Sequence, residues 1–480
     1  MAGLLVTGTS SDAGKSLVVT GLCRAWSRAG LRVAPFKSQN MSNNSMVCED
    51  GAEIGRAQYL QAHAAGVVAS ALHNPVLLKP GSDRRAFVVL RGQPAGELGA
   101  GEYATGRTHL AEAAFAAYEE LAATVDLVVC EGAGSPAEVN LRAGDYVNMG
   151  LARRFDLPTL LVADIDRGGS LAAVVGTHSL LDPADRALLR GYVMNKFRGD
   201  HDVLAPGLAA VTERTGLPWL GTVPWLPEVW LDSEDALSIG RWEPGAGGPT
   251  DALRVAVVRF PRVSNATDVD ALSAEPGVEV RVTTDPSVCR DADLLVLPGS
   301  RATVTDLAWL RAKGLAEVVA ERVAAGRPVL GICGGYEMLG TVIEDAVESA
   351  AGRVAGLGHL PATTDFRAEK VLGRPQGSWR GHPVTGYEIH HGVVTAEPTF
   401  PGGTASGAVW GTIWHGTLEG DDFRRAWLTE VAEVAGSPWR PEPGAPSFAS
   451  RREAMIDRLA DAVTEHLDLD QLLSWAKGAA

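Results

Sequence analysis

A glycine-rich segment near the N-terminus constrains the fold more than any other feature of this sequence. It follows a strand-like run at residues 3–7 and has the sequence Gly8-Thr9-Ser10-Ser11-Asp12-Ala13-Gly14-Lys15-Ser16. A helical pattern follows from about Lys15 to Arg28, with apolar residues at every fourth position. A strand, a glycine-rich turn and an amphipathic helix in this order predict a phosphate-binding loop in an α/β domain.

The residues of this loop suit a nucleotide. Gly8 and Gly14 let backbone N–H groups converge on phosphate oxygens, and the helix that follows adds its positive end. Lys15 is placed to neutralise the β- and γ-phosphates, and the Ser16 hydroxyl is placed to bind Mg²⁺. A turn that merely starts a helix would not require an intact Gly-Lys-Ser. We therefore expect ATP and Mg²⁺ as cofactors, with Thr9 and Asp12 also at the nucleotide.

The chain has 480 residues, which favours two or three domains. A Gly/Pro-rich stretch without periodicity at 240–250 indicates a linker, after which a second α/β pattern begins. We predict a synthetase domain at 1–238, a linker at 239–251, a second domain at 252–447 and a helical segment at 448–480. Within the last two parts, single helices are expected at 304–323 and 451–475. The predicted fold class is α/β, with two doubly wound domains and mainly parallel sheets.

The net charge of −15 argues against nucleic acid and an anionic membrane surface as partners. The five cysteines are scattered without a Cys-x-x-Cys pair, so neither a disulfide scaffold nor a zinc site is expected. The N-terminus lacks the pattern of a signal peptide, and no apolar run is long enough to span a bilayer. We expect a cytoplasmic protein.

The N-terminal loop resembles that of dethiobiotin synthetase and its relatives, which use ATP to phosphorylate a carboxylate or carbamate. The resemblance implies that Lys37, after the second strand, contacts the nucleotide. It also implies two acidic Mg²⁺ ligands, best matched by Glu53 and Glu131. A solvated carboxylate at a helix start is the alternative for Glu53, and Asp50 is a lesser alternative ligand. Asn195 follows another strand and is expected at the adenine, although Asn-Lys also suits a plain turn.

A second motif lies at residues 328–336, Pro-Val-Leu-Gly-Ile-Cys-Gly-Gly-Tyr. Strand, sharp turn and helix form a nucleophile elbow that presents Cys333, and the helix N-terminus should favour its thiolate. The backbone N–H of Gly334, with a second group from Gly299, is expected to form an oxyanion hole. His415 is the expected base, with His390 and His391 as rivals. A buried structural thiol is the alternative for Cys333.

This half resembles class I glutamine amidotransferase domains of the type found in cobyric acid synthases. Typical class I members carry a glutamate two residues after the histidine, which completes a triad. Thr417 occupies that position here. The sequence therefore leaves open which group orients His415.

The order of the two domains resembles the cobyric acid synthase family over nearly the whole chain. The most specific stretch is Gln39-Asn40-Met41-Ser42-Asn43-Asn44-Ser45. The resemblance implies ATP- and glutamine-dependent amidation of the b, d, e and g carboxylates of adenosylcobyrinic acid a,c-diamide. Corrinoid substrate, L-glutamine and ATP are the implied partners. Asn43, Asn44, Arg84 and Arg85 are candidate corrinoid contacts.

Three other interpretations of the sequence compete with this family assignment. Cobyrinic acid a,c-diamide synthases share the architecture but lack the Gln-Asn-Met-Ser-Asn-Asn stretch. ParA/MinD-like ATPases share a deviant phosphate loop but usually carry a second lysine early in it, where this chain has Thr9-Ser10-Ser11. A binding protein with a decayed cysteine domain would explain the missing glutamate but not the intact Gly-Ile-Cys-Gly-Gly. The sequence leaves the oligomeric state open, including a homo-oligomer.

Overall fold

The computed structural model describes residues 2–82, 85–99, 107–227, 229 and 251–478. The described chain forms two compact units. The first contains residues up to Met41, those from Cys48 to 229, and those from Glu453 onward; the second contains Ser42–Val47 and the described residues up to Arg452. Neither unit is therefore a single continuous stretch of chain, and the domain boundaries expected at 238 and 448 stay predictions. The predicted linker, apart from Asp251, lies outside the described residues.

A six-stranded parallel sheet forms the centre of the first unit. Four of its strands are fully buried, because helices cover both faces of a doubly wound sheet. Leu4 and Val6 face one apolar cluster and Leu5 faces the other, as the two-residue period of a strand requires. In spatial order the strands are Val33–Phe36, Leu127–Glu131, Gly3–Gly8, Thr159–Asp164, Leu189–Phe197 and Trp219–Pro224. The strand that precedes the phosphate loop is therefore central, where the strand order reverses.

The remaining elements of the first unit surround this sheet. The helices are Lys15–Arg28, Arg56–Ala65, Thr108–Ala122, Met149–Phe155, Ser170–Leu180, Pro183–Arg186 and His201–Thr215, with a 3₁₀ turn at Val139–Gly144. A smaller sheet has the order Gln39–Met41, Val76–Ser82, Arg85–Leu90, Gln93–Gly99. A short strand also spans Glu53–Gly55. The first helix has the bounds that its apolar period predicted.

The C-terminal segment completes the core of the first unit. Instead of one helix over 451–475, there are two, Phe448–His466 and Leu469–Ala476. The break falls at Asp468, whose carboxylate accepts a hydrogen bond from the Gln471 N–H and so caps the second helix. Ala462, Val463, Leu467, Leu472, Trp475 and Ala476 are buried in the same cluster as Leu4 and Val6.

The second unit is built on another six-stranded sheet. Five strands are parallel and the last is antiparallel, in the order Val278–Thr283, Leu253–Val258, Leu294–Leu297, Val329–Ile332, Val409–Thr412, Gly403–Ser406. The helices are Asp270–Ser273, Pro286–Asp291, Thr303–Ala312, Leu315–Ala324, Gly334–Leu339 and Asp421–Ala435, with 3₁₀ turns at Ala266–Val269 and Thr417–Glu419. The single helix expected over 304–323 is thus wrong. Gly314 adopts a left-handed conformation, with φ of 72°, and separates two helices.

Smaller strands complete the second unit. A four-stranded sheet has the order Gly352–Ala355, Val342–Asp345, Thr363–Gly373, Glu388–Thr395. Two antiparallel pairs join Val263–Ser264 to Gly299–Ser300 and Gln376–Trp379 to His382–Thr385, and a further strand spans Ser45–Val47. The predicted α/β class with mainly parallel sheets is confirmed for both halves. Across the described ranges, none of the helices combines the length and apolar character that crossing a membrane requires.

Candidate active site

The phosphate loop includes a glycine with a left-handed backbone conformation. Gly14 has φ of 95° and caps the helix that begins at Lys15. A Cβ atom on Gly14 would lie 1.9 Å from the side-chain nitrogen of Asn195, so glycine is required there. That amide nitrogen donates to the Ala13 carbonyl at 2.9 Å. Asn195 therefore supports the loop, and its contact with adenine stays a prediction.

Ser16, Lys37 and Glu131 meet at the carboxyl end of the central strands. The Ser16 hydroxyl donates to Oε1 of Glu131 at 3.0 Å, and the Lys37 ammonium lies 2.8 Å from the same oxygen. Gln61 donates to the other carboxylate oxygen at 2.5 Å. Glu131 is fully buried, so its charge requires these partners. Three predicted residues thus come together; Gln61 was missed because it belongs to no motif.

Lys15 reaches across the loop. Its Nζ atom donates to the carbonyls of Ser10 and Gly134, at 3.1 and 3.4 Å. The ammonium group is therefore placed within the loop that would surround phosphates, as the motif predicts.

The two carboxylates predicted to bind Mg²⁺ have different surroundings. Glu53 is fully buried and lies 2.7 Å from Nζ of Lys79, a residue that sequence reasoning did not single out. The metal role of Glu53 stays a prediction. Within the described ranges no cluster of three or more His, Cys, Asp or Glu side chains could hold a metal alone. A hydroxyl and a carboxylate beside a phosphate loop still fit Mg²⁺, which takes few protein ligands and completes its shell with phosphates and water.

A second lysine supports the far side of the loop. Lys196, with φ of 60°, donates to the Asp12 carbonyl at 2.6 Å and lies 2.7 Å from Oδ2 of Asp164. The Asp12 carboxylate is 3.0 Å from Arg167. Asp12 is therefore fixed by a network of charges on neighbouring strand ends. Lys196 was missed, although its position directly after Asn195 at a strand end was a usable signal.

A cavity of about 490 Å³, open to solvent, lies beside this site. Its lining includes Gln39, Arg107, Ser135, Arg142 and Asn148. Gln39 accepts hydrogen bonds from the Tyr146 hydroxyl at 2.5 Å and from Arg107 at 3.4 Å. Gln39 opens the most specific sequence stretch, so part of that stretch faces a cavity with two guanidinium groups.

The candidate corrinoid contacts do not gather at this cavity. Arg84 lies outside the described residues, and Arg85 is exposed and 3.5 Å from Glu97. Asn43 and Asn44 belong to the second unit. Asn44 is buried, and its side-chain oxygen accepts a hydrogen bond from the Ala266 N–H at 3.1 Å. The structure thus gives Asn44 a partner inside the protein, and the four contacts with the corrinoid stay predictions.

Cys333 sits in the sharp turn that the motif predicted. Strand Val329–Ile332 ends just before it, and helix Gly334–Leu339 begins just after. Cys333 itself has φ of 49°, a conformation that costs a non-glycine residue free energy and is typical of nucleophile elbows. A Cβ on Gly335 would lie 2.0 Å from the Leu297 carbonyl oxygen. Glycine is therefore obligatory where helix and strand approach each other.

The residues predicted for the oxyanion hole lie around this turn. A Cβ built on Gly334 would be 2.9 Å from the Ser300 nitrogen, and one on Gly299 would be 3.2 Å from Cε1 of His415. Strand pairing joins Ile332 to Thr412, and the Cys333 N–H donates to the Thr412 carbonyl at 2.7 Å. The geometry therefore brings Gly299, Gly334, Cys333 and His415 into one site.

Asp268 orients the histidine. Its Oδ2 atom lies 2.7 Å from Nδ1 of His415, and its Oδ1 atom accepts from the Gly416 N–H at 2.8 Å. Both side chains are buried. Sequence reasoning missed Asp268, which precedes Cys333 on another element and follows no known spacing. The rivals His390 and His391 instead face the backbone carbonyls of Gly392 and Arg367.

Tyr387 supports the same histidine from its face. The two rings stack with centroids 5.3 Å apart and an angle of 26° between their planes. The backbones of Tyr387 and His415 also exchange two hydrogen bonds, of 3.0 and 2.9 Å. The imidazole is therefore restrained both at Nδ1 and on its ring face.

Opposing effects act on the pKa of the Cys333 thiol. Burial, followed by the nearby Glu337 carboxylate, raises the pKa of the thiol well above its usual value. The Gly334 N–H acts in the opposite direction but does not prevail. The burial thus favours the thiol over the thiolate, and activation of Cys333 requires a base.

Two protein-family models match this chain. One, described as a CobQ/CobB/MinD/ParA nucleotide binding domain, matches residues 4–239. The other, described as a CobB/CobQ-like glutamine amidotransferase domain, matches residues 254–423. The first matched range contains the phosphate loop, and the second contains Cys333 and His415.

Three curated relatives align over almost their whole length. A protein of Cutibacterium acnes is 62% identical over 98% of this chain and 99% of its own. One of Mycolicibacterium vanbaalenii is 56% identical over 100% of this chain and 97% of its own. One of Mycobacterium tuberculosis is 55% identical over 99% of this chain and 97% of its own. Each of the three bears the name cobyric acid synthase.

Proposed function

This chain belongs to the cobyric acid synthase family, and from that premise we propose how its residues divide the reaction. The protein is an ATP-dependent ligase that carries out glutamine-dependent amidation in cobalamin synthesis. Membership decides against a ParA/MinD-like switch and against a cobyrinic acid a,c-diamide synthase. One observation carries the proposal: a Cys333 elbow with an oriented histidine and a phosphate loop occur in one chain.

The second unit releases ammonia. Cys333 loses its proton to His415 and attacks the side-chain amide carbon of glutamine, so that a thioester forms and ammonia leaves. Water then hydrolyses the thioester to glutamate and free thiol. Backbone N–H groups at Gly334 and near Gly299 stabilise the tetrahedral oxyanion. Asp268 acts as a positioning residue, because its bond to Nδ1 directs Nε2 of His415 toward the thiol.

The first unit activates the acceptor carboxylate. A carboxylate oxygen takes the γ-phosphoryl group of ATP and ADP leaves; ammonia then attacks the acyl carbon and phosphate leaves as the amide forms. Lys15 and Lys37 stabilise the negative charge on the transferred group. Ser16 and Glu131 would hold Mg²⁺, with Glu53 as a further candidate, and the ion would neutralise phosphate charge. Gly8, Thr9, Asp12 and Gly14 shape the loop, and Asn195 supports it.

The cavity beside the phosphate loop would receive the side-chain carboxylate that is being amidated. Arg107 in its lining supplies positive charge for that carboxylate, whereas the Arg142 guanidinium is bound to Asp185. We propose the b, d, e and g carboxylates of adenosylcobyrinic acid a,c-diamide as the acceptors. Asn43, Asn44, Arg84 and Arg85 remain predicted corrinoid contacts.

The reaction needs no macromolecular partner. We propose that the enzyme works in the cytoplasm, where ATP and glutamine are supplied. Nucleic acid and membrane lipid are not expected to bind. A homo-oligomer remains compatible with the proposal, since all the catalytic residues named come from one chain.

A direct experiment tests this assignment. Full-length protein is incubated with cobyrinic acid a,c-diamide, Mg-ATP and glutamine, and the corrinoid is followed by mass spectrometry. We expect the mass of the corrinoid to change in steps, each of which corresponds to the conversion of one carboxylate to an amide. Cys333→Ser should lose glutamate release but still amidate with free ammonia. No mass change with either nitrogen source would overturn the substrate assignment, and a Cys333→Ser variant that ammonia cannot rescue would overturn the division of labour.

A further inference from the structure

Residues Ser42–Val47 are part of the unit that carries Cys333, although the residues on both sides of them belong to the first unit. Within the second unit this segment bonds to Asn265. The Ser45 N–H donates to the Asn265 side-chain oxygen at 3.0 Å, and the Asn265 N–H donates to the Asn43 carbonyl at 3.4 Å. Asn44 bonds to Ala266, as described above. Three hydrogen bonds therefore fix two consecutive residues of one loop.

That loop carries the residue that orients the catalytic histidine. Asn265 has a left-handed conformation, with φ of 48°, and immediately precedes the 3₁₀ turn Ala266–Val269. The Asp268 N–H donates to the Asn265 carbonyl at 3.0 Å. The position of the Asp268 carboxylate is therefore set by the conformation of Asn265.

The same segment reaches the second support of the histidine. Val47 is fully buried in a small apolar cluster with Tyr387 and Ile389. Tyr387 stacks on His415. Val47 therefore belongs to the cluster that supports the ring stacked on the imidazole. One short stretch of chain thus bonds to the loop that carries Asp268 and packs in the cluster that contains Tyr387.

We propose that Ser42–Val47 is a positioning element of the glutaminase site, which acts on His415 through Asn265 and Tyr387. This rests on the proposed role of Cys333 and His415. The element overlaps the Gln-Asn-Met-Ser-Asn-Asn-Ser stretch at Ser42–Ser45. The histidine of the amidotransferase is therefore aligned by residues that precede its own domain by some two hundred positions in the chain. If Ser42–Val47 only filled space, removing its hydrogen bonds to the Asn265 loop would leave glutamine turnover unchanged.

Asn265 provides the sharpest test, because glycine and aspartate both tolerate its conformation. Asn265→Gly removes the oxygen that accepts from Ser45, whereas Asn265→Asp keeps it. For Asn265→Gly in the full-length protein, kcat for glutamate release should fall roughly tenfold to a hundredfold. KM for glutamine should stay within about threefold, because binding itself is not altered. Ammonia-driven amidation should stay within about twofold of the unaltered protein. Asn265→Asp should recover most of the lost kcat.

Controls separate the possible causes. Ala350→Gly changes an exposed left-handed residue of the same unit and should leave glutamate release unchanged. Val47→Ala, which leaves Asn265 intact, should show a smaller loss with the same split between nitrogen sources. Unchanged kcat in both Asn265→Gly and Val47→Ala would overturn the proposal, and so would equal losses with glutamine and ammonia. If Cys333→Ser still released glutamate, the proposed function itself would be at fault.

Discussion

The Nδ1 atom of His415 lies 2.7 Å from Oδ2 of Asp268, although the two residues are far apart in sequence. In typical class I amidotransferases the acid follows the histidine by two positions, where this chain has Thr417. Asp268 comes from the 3₁₀ turn Ala266–Val269, which follows the strand Val263–Ser264. The triad is therefore retained as an arrangement of groups while its acid is supplied by a different element.

Asp268→Asn should lower kcat for glutamate release by about 10²- to 10⁴-fold, because an amide at this position no longer favours the required histidine tautomer. KM for glutamine should change little. Steady-state assays of glutamate release with the full-length protein would measure both values. Asp293→Asn is a matched control, because Asp293 accepts from the Arg254 N–H at 2.8 Å in the same unit and lies outside the Cys333 site. Equal effects of the two substitutions would contradict an orienting role for Asp268.

Lys15→Ala should abolish amidation with glutamine and with ammonia alike. The ammonium group within the phosphate loop is expected to stabilise the transferred phosphoryl group, which both nitrogen sources require. Mass spectrometry of the corrinoid, with ammonium salt in place of glutamine, provides the measurement. Amidation that persisted with ammonia would mean that the loop does not activate the carboxylate.

Glu53 and Lys79 form a buried pair whose members depend on each other. Lys79→Met should lower the free energy of unfolding by about 3–5 kcal/mol, because it removes the ammonium group that lies 2.7 Å from the buried Glu53 carboxylate. Glu53→Gln combined with Lys79→Met should cost clearly less than Lys79→Met alone. Denaturant unfolding of the single and double variants completes the cycle. Strictly additive losses would show that the two charges do not stabilise each other.

Glu337 makes stability depend on pH. Burial raises the pKa of this carboxyl from 4.5 to about 8, so the folded state holds its proton more tightly than the unfolded chain does. Stability present at low pH is therefore lost as pH rises toward 8, by up to about 1.4 kcal/mol per pH unit. Glu337→Gln keeps an acceptor for the Thr303 hydroxyl and removes the titration. Unfolding curves at several pH values between 5 and 8 should diverge between the two proteins; parallel curves would rule out this assignment.

The phosphate loop and the cysteine elbow could be predicted because each is local. Gly14, Lys15 and Ser16 adjoin in sequence, and the helix they start has the expected bounds. Gly331 and Gly335 flank Cys333 in the same way, and the turn between them is strained as predicted. Short motifs of this kind fix backbone geometry without help from distant residues.

Contacts across long sequence distances could not be predicted. Asp268 has no fixed spacing to His415, and nothing in the pattern around Lys79 points to Glu53. The burial that raises the pKa of Cys333 could not be predicted either, because it depends on the whole surrounding unit. The break at Gly314 was missed because apolar residues continue with helical spacing on both sides of it.

The last helices have a consequence for how the protein is made. Ala462, Val463, Leu472 and Trp475 share a core with Leu4 and Val6, strand residues that are synthesised long before them. The N-terminal core cannot be completed while the C-terminus is still being synthesised, so this chain departs from the common order in which domains fold one after another during translation. A nascent chain that stops after the amidotransferase sequence would leave the nucleotide-binding core, not the cysteine site, with exposed apolar surface. Completion of the nucleotide-binding core therefore waits for the helices Phe448–His466 and Leu469–Ala476.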